Sequence, residues 1–324
     1  MINSNSMLDT TNILEGVNKM PSTSYKLICG LFRMIGINKK LKQDEENLKK
    51  FIDSYITKQD NIKIPTEKIK KNYDFEKRVI GTTDCYITKQ KNNSPKKALL
   101  YIFGGGYFIP CDPGDFSFAG QFADNTNREV WFPIYPLAPR YKLIDSIKSV
   151  LSVYQEMLKK YAPEDITFFG TSSGGGLCLS LLMYIKENKM NIPMPKHLVL
   201  QSPGLQVPPS KEQLEKMREI EDKDVMIAPD FFFVIDKILT DEKDAYLLSP
   251  ILYDLSGFPS MDIIYGSYEV MYAYLPDMIK HCGECGVKIV PHVGEEMMHC
   301  WLAMEMTPEG KKARQDVFDM INNS

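Results

Sequence analysis

A chain of 324 residues is long enough to bury a sizeable core, and its net charge of −3 provides no basic field, which excludes nucleic acid as a partner. Seven scattered cysteines and a start ("MINSNSMLDTTNILEG") without a secretory signal predict free thiols in a reducing cytoplasm. The most apolar early stretch, "LICGLFRMIGI" (27–37), is too short to span a bilayer and carries Arg33, so it reads as a helix buried against the rest of the protein, with no stable membrane insertion.

Residues 1–70 read as polar-faced helices broken near Pro21 and Pro65. "KRVIGTTDCYITK" (77–89) alternates like one antiparallel strand, and "KKALLYIF" (96–103) and "REVWFPIY" (128–135) are short apolar runs of the buried-strand kind. From Leu143 the apolar positions keep a helical period to Leu158. There follow a strand at 165–169, a glycine-rich turn with an apolar helix, and strands at 197–203 and 261–266. A helix to Cys285, a strand at 287–293 and a last helix from about residue 300 complete the chain. Such alternation predicts a mostly parallel sheet with helices on both faces, an α/β fold.

The turn between "DITFF" and "LCLSLLMYI" lies at the carboxyl end of a buried strand, where open α/β sheets place their chemistry. There Gly170-Thr171-Ser172-Ser173-Gly174 fits G-x-S-x-G around Ser172: a nucleophile on a sharp strand-to-helix turn needs minimal neighbours. Ser173 fails the same test because Thr171 stands where its first glycine should be. The Ser173 N–H, at the helix start, suits an anion. A second cluster, Gly104-Gly105-Gly106, follows the strand at 96–103, and its N–H groups can serve an oxyanion. It lacks the offsets of a dinucleotide or Walker loop.

A serine needs a base. Of four histidines, His197 begins a strand, His281 lies at a helix end, and His292 sits within a strand. Only His299 falls in a loop after the last strand. A carboxylate must orient that base. Glu269 follows the strand at 261–266, with Asp254, Asp262, Asp277, Glu295 and Glu296 as rivals. Cys282-Gly-Glu-Cys285 closes a helix instead of opening one and has no second pair at zinc-finger spacing, so it reads as neither a redox nor a metal motif.

These segments, in this order, resemble the hormone-sensitive-lipase-like branch of the α/β-hydrolases. "YIFGGGYF" stands for its His-Gly-Gly-Gly loop and "GTSSGGG" for its Gly-Asp-Ser-Ala-Gly-Gly elbow. "YPLAPRY", "SPILYDLSGFPSMDIIYGSYEVM" and "GVKIVPHVGEEMMHCW" match three further motifs. The resemblance spans about residues 75–322. Departures are Phe103 for the family's histidine, Thr171 for aspartate, Ser173 for alanine, Arg140 for glutamate and Glu269 for the acidic aspartate. It implies an α/β-hydrolase fold over 71–324, with a helical cap made from residues 1–70 and an insertion at about 206–245. It also implies a carboxylesterase for short or medium acyl chains, a serine hydrolase acting through an acyl-enzyme, with a small-molecule ester substrate and neither metal nor organic cofactor. The site residues it implies are catalytic Ser172, Glu269 and His299, with an oxyanion hole of Gly104, Gly105, Gly106 and Ser173. A homodimer is compatible with it. The alternatives are a weakened member that binds a small molecule without hydrolysing it, and an amidase or peptidase.

Overall fold

The computed structural model describes residues 12–13 and 20–324. The expectation of helix over residues 1–11 and 14–19 lies outside them. Residues Asn12–Ile13 form a strand, β1, and not a helix. Helices α1 (Thr23–Ile35), α2 (Ile37–Leu41), α3 (Glu45–Asp53), α4 (Ile56–Asp60) and α5 (Thr66–Asn72) follow. The one strand expected at 77–89 is instead a hairpin of β2 (Tyr73–Ile80) and β3 (Thr83–Gln90), paired Ile80 to Thr83 across a two-residue turn. The turn turns on Gly81, whose φ of +60° suits the tight reversal, a signal hidden inside the alternating pattern.

Beyond β4 (Lys97–Ile102), the sequence reading assigns no element to 111–127, where the structure has α6 (Pro113–Thr126). Asp112 and Asp115 close a capping box around Pro113 at the first helical position, and Phe116, Phe118 and Phe122 are buried. Then come β5 (Arg128–Ile134), α7 (Leu143–Leu158), β6 (Ile166–Thr171), α8 (Ser173–Glu187) and β7 (His197–Gln201). Helices α9 (Lys211–Ile220) and α10 (Asp230–Leu239) lie in the 206–245 insertion, followed by β8 (Ser260–Gly266), α11 (Leu275–Glu284) and β9 (Ile289–Gly294). The last helix, α12 (Pro308–Asn322), starts later than expected, because Trp301–Ala303 form a short 3₁₀ turn and Thr307 caps the helix ahead of Pro308.

The strands form a sheet in the order β1-β9-β8-β7-β6-β4-β5-β3-β2, parallel from β1 through β5 and antiparallel at β3 and β2. Adjacent residues of β6 show the layering. Phe169 packs 4.7 Å from Phe122 of α6, and Phe168 packs 4.9 Å from Tyr154 of α7, so α6 and α7 cover opposite faces. Helix α12 joins α6 through Phe318 and Phe122, while α8 lies beside α7.

Two segments meet above the carboxyl ends of the strands. Phe51 and Tyr55 pack edge-on against Phe108, and Gln59 Nε2 donates to the carbonyls of Phe108 and Ala138. Asn38 Nδ2 donates to Asp224 O at 2.8 Å, and Lys42 pairs with Glu221. Helix α1 is buried on one face only: Tyr25 is covered and Ile28 and Phe32 pack on the core, while Leu27 and Met34 are 69% and 80% exposed. The expectation that 27–37 is buried therefore fails for half of its apolar residues. Two apolar stripes share this helix, and the protein covers just one.

Candidate active site

Three loops at the carboxyl ends of parallel strands bring three side chains into line. Ser172 follows β6 and caps α8 with φ +52° and ψ −124°, a conformation that costs a non-glycine residue energy and is held by the tight turn around it. Its N–H donates to Gln201 O at 2.8 Å. The turn closes because Gly174 carries no side chain: a Cβ there would stand 2.3 Å from the carbonyl oxygens of Ile102 and Phe103. Ser173 starts α8, and its Oγ accepts the Tyr107 N–H at 3.3 Å.

His299 Nε2 lies 2.9 Å from Ser172 Oγ, and its Nδ1 lies 2.5 Å from Glu269 Oε2. Both ring nitrogens are thus engaged, which sets the tautomer: Nδ1–H donates to the carboxylate and Nε2 is free to accept from the serine. The other Glu269 oxygen, Oε1, accepts from Gly266 N at 2.6 Å and from Ser202 Oγ at 2.8 Å. Glu269 is fully buried and His299 is 3% exposed. Burial by itself lowers the imidazole pKa, but the neighbouring Cys300 and Glu269 raise it, and the net direction is well above the ordinary histidine value.

Opposite this line runs the triple-glycine loop. The Gly105 carbonyl turns away to accept from the N–H groups of Phe108 and Ile109, at 3.1 and 2.9 Å. Among the described residues, no backbone acceptor takes the N–H of Gly105, Gly106 or Ser173. Gly104 abuts the serine turn so closely that a Cβ there would lie 2.9 Å from Thr171 O. Phe103 stacks on Tyr135 at 4.3 Å and is buried, so the position that is histidine in the resembling family faces the core here. Arg140 forms a two-pronged pair with Asp60 of α4.

None of the rival acids is hydrogen-bonded to His299, and four of them have side-chain partners elsewhere. Asp262 sits between His197 Nε2 and His292 Nε2, at 2.7 and 2.6 Å. Asp277 accepts from Gln213, Asp254 pairs with Lys186, Glu295 accepts from Ser267 Oγ, and the Glu296 N–H donates to the same hydroxyl. His281 Nε2 donates to Tyr253 O at 2.6 Å. Cys282 is buried, and burial pushes its thiol up to about 12. Sequence reasoning missed Ser202, which steadies Glu269; its position at the end of the strand read over 197–203 was the available signal. It also missed Asp224, a fully buried carboxylate in the insertion, for which the sequence offers no signal.

A narrow cavity of about 30 Å³ opens at Ser172, lined by Gly106, Phe231, Phe232, Ile235, Leu248 and other residues. Its walls are mainly apolar, as a pocket for a hydrocarbon chain requires. No helix among the described residues is long and apolar enough to cross a membrane.

A family model described as alpha/beta hydrolase fold matches residues 99–303. An esterase of Acinetobacter venetianus is 26% identical over 240 residues, covering 71% of this chain and 76% of the relative. An acetyl-hydrolase of Streptomyces hygroscopicus is 25% identical over 223 residues, covering 67% and 72%. The crystal structure of an esterase from the bacterial hormone-sensitive lipase family superposes with a TM-score of 0.76 at 20% identity, covering 94% of this chain and 99% of that one.

Proposed function

The chain belongs to the α/β-hydrolase fold family, and on that premise we propose that it hydrolyses carboxylic esters of short or medium acyl chain through an acyl-enzyme on Ser172. The observation that carries this reading is the continuous line from Glu269 through His299 to Ser172, at 2.5 and 2.9 Å. His299 takes the Ser172 proton as the hydroxyl attacks the ester carbonyl, and the N–H groups of Gly105, Gly106 and Ser173 receive the oxyanion. The same histidine then protonates the departing alcohol. Water repeats the sequence on the acyl-enzyme, releasing the acid and restoring the serine. Glu269 keeps the imidazole in the productive tautomer and stabilises its cation. Gly104 holds the triple-glycine loop against the serine turn.

Helices α1–α4 and the insertion with α9 and α10 act as the cap over this site in our reading, supported by the bonds from Asn38 and Lys42. The small cavity favours the short end of the acyl range. Seven free thiols support a cytoplasmic location. A protein that merely bound its ligand would have no use for a histidine poised against the serine.

The test is hydrolysis of a p-nitrophenyl ester series by wild type and Ser172→Ala, with p-nitroanilides alongside to separate ester from amide cleavage. Loss of ester turnover in a folded Ser172→Ala protein is expected. Near-normal turnover by that variant removes the mechanism.

A further inference from the structure

Asp224 belongs to the segment joining α9 to α10, yet its side chain reaches the loop that carries Glu269. Its Oδ2 accepts the Val270 N–H at 2.9 Å, one residue beyond Glu269. Its Oδ1 accepts the N–H groups of Met226 and Ile227 at 2.8 and 2.9 Å, and its own carbonyl takes the Asn38 side chain from α2. The residue is fully buried, and among the described residues no lysine or arginine pairs with it. An unpaired buried carboxylate is costly unless it is well hydrogen-bonded or faces a positive charge. Three backbone donors meet the first condition.

We infer that Asp224 is a positioning residue for the hydrolytic pair: it fastens the Glu269 loop to the cap at Val270 and so fixes the carboxylate that meets the His299 imidazole. This rests on the roles proposed for Glu269 and His299. The titratable groups that act on that imidazole are Glu269 from the loop after β8 and Cys300 from its own loop; Tyr25 of α1 accepts the N–H of the preceding Met298, and Asp224 accepts the N–H that follows Glu269. Burial pushes the Asp224 carboxyl up to about 6, against the pull of His299 and the three N–H donors, so it is ionised above that pH. The cap would then contribute to the imidazolium-like transition state and not merely to substrate choice. Asn38, which holds the backbone of residue 224, would tie α2 to the same function.

The experiment compares wild type, Asp224→Asn, Asp224→Glu and the exposed control Asp222→Asn. It measures kcat and KM on p-nitrophenyl acetate, the pH profile, and the His299 Nδ1 proton by NMR. Asp224→Asn should lower kcat by about tenfold with KM little changed, and shift the His299 titration down by about half a unit or more. Asp224→Glu should restore the titration while recovering kcat in part, and Asp222→Asn should match wild type. If Asp224→Asn does not fold, Asn38→Ala carries the test, with kcat reduced about threefold at unchanged Tm. A folded Asp224→Asn, or failing that Asn38→Ala, with wild-type kcat and His299 titration overturns the inference. Glu269→Gln run in parallel keeps the two readings apart: if it is impaired while Asp224→Asn is normal, only the role of Asp224 falls.

Discussion

Glu269 Oε2 lies 2.5 Å from His299 Nδ1 although a glutamate stands where the resembling family has aspartate. The longer side chain fits because its second oxygen is drawn back by the Gly266 N–H and by Ser202 Oγ. An extra methylene at this position is therefore absorbed by the loop, and the acid still meets the ring nitrogen remote from the serine.

Glu269→Gln keeps size and loses charge. Its kcat should fall by orders of magnitude, by as much as about 10⁴, because the amide no longer stabilises the imidazolium. Glu269→Asp should be milder but not neutral, since the carboxylate withdraws from Nδ1. Steady-state kinetics on p-nitrophenyl acetate decide it. Normal kcat in folded Glu269→Gln would place the acid elsewhere, with Asp277→Asn and Glu296→Gln as controls that should change little.

In the proposed mechanism His299 must be neutral to take the Ser172 proton. Because its pKa is raised, the ring stays protonated to higher pH, and the acid limb of kcat/KM should have its midpoint above the ordinary value of about 6.5. Activity is lost as pH falls through that midpoint. A profile that stays flat to well below pH 5 would exclude histidine as the base.

Phe231 closes the cavity at Ser172 over the triple-glycine loop: a Cβ on Gly106 would stand 3.0 Å from its Cζ. Phe231→Ala should open the cavity and raise the hexanoate-to-acetate ratio of kcat/KM by about tenfold, at a stability cost of about 3 kcal/mol. An unchanged ratio across the ester series would show that acyl length is set by other residues.

Asp262 bonds His197 and His292, apart from the Glu269–His299–Ser172 line, and is expected to serve stability. Burial opposes its charge, but hydrogen bonds from His197 and His292 outweigh it and hold the carboxyl down to about 2. A depressed acid stabilises the fold above its unfolded pKa, and the contribution drains away between about pH 4 and pH 2. Asp262→Asn should lower stability near neutrality by about 2 kcal/mol and leave turnover at 25 °C unchanged. Urea melts at several pH values, paired with the ester assay, test both statements.

What the sequence by itself determined was local. Strand–helix alternation, the glycines flanking Ser172 and the loop position of His299 each depend on neighbours a few residues away, through backbone sterics and hydrophobic period, so one chain suffices to read them. The same locality explains the errors. The β2–β3 hairpin turns on two residues within an alternating run, and α6 is set by a cap at Asp112 that a period count overlooks. Whether α1 is covered depends on what lies across from each of its two apolar stripes. The tertiary structure alone decided which carboxylate meets His299. Parallel strands β6, β8 and β9 deliver Ser172, Glu269 and His299 to one end of the sheet, whereas Asp262, two residues from the start of β8, is carried away from that end to pair with other histidines. Asp224 shows the same limit. Its carboxylate accepts the Val270 N–H from more than forty positions along the chain, and a contact of that kind exists only once the chain has folded.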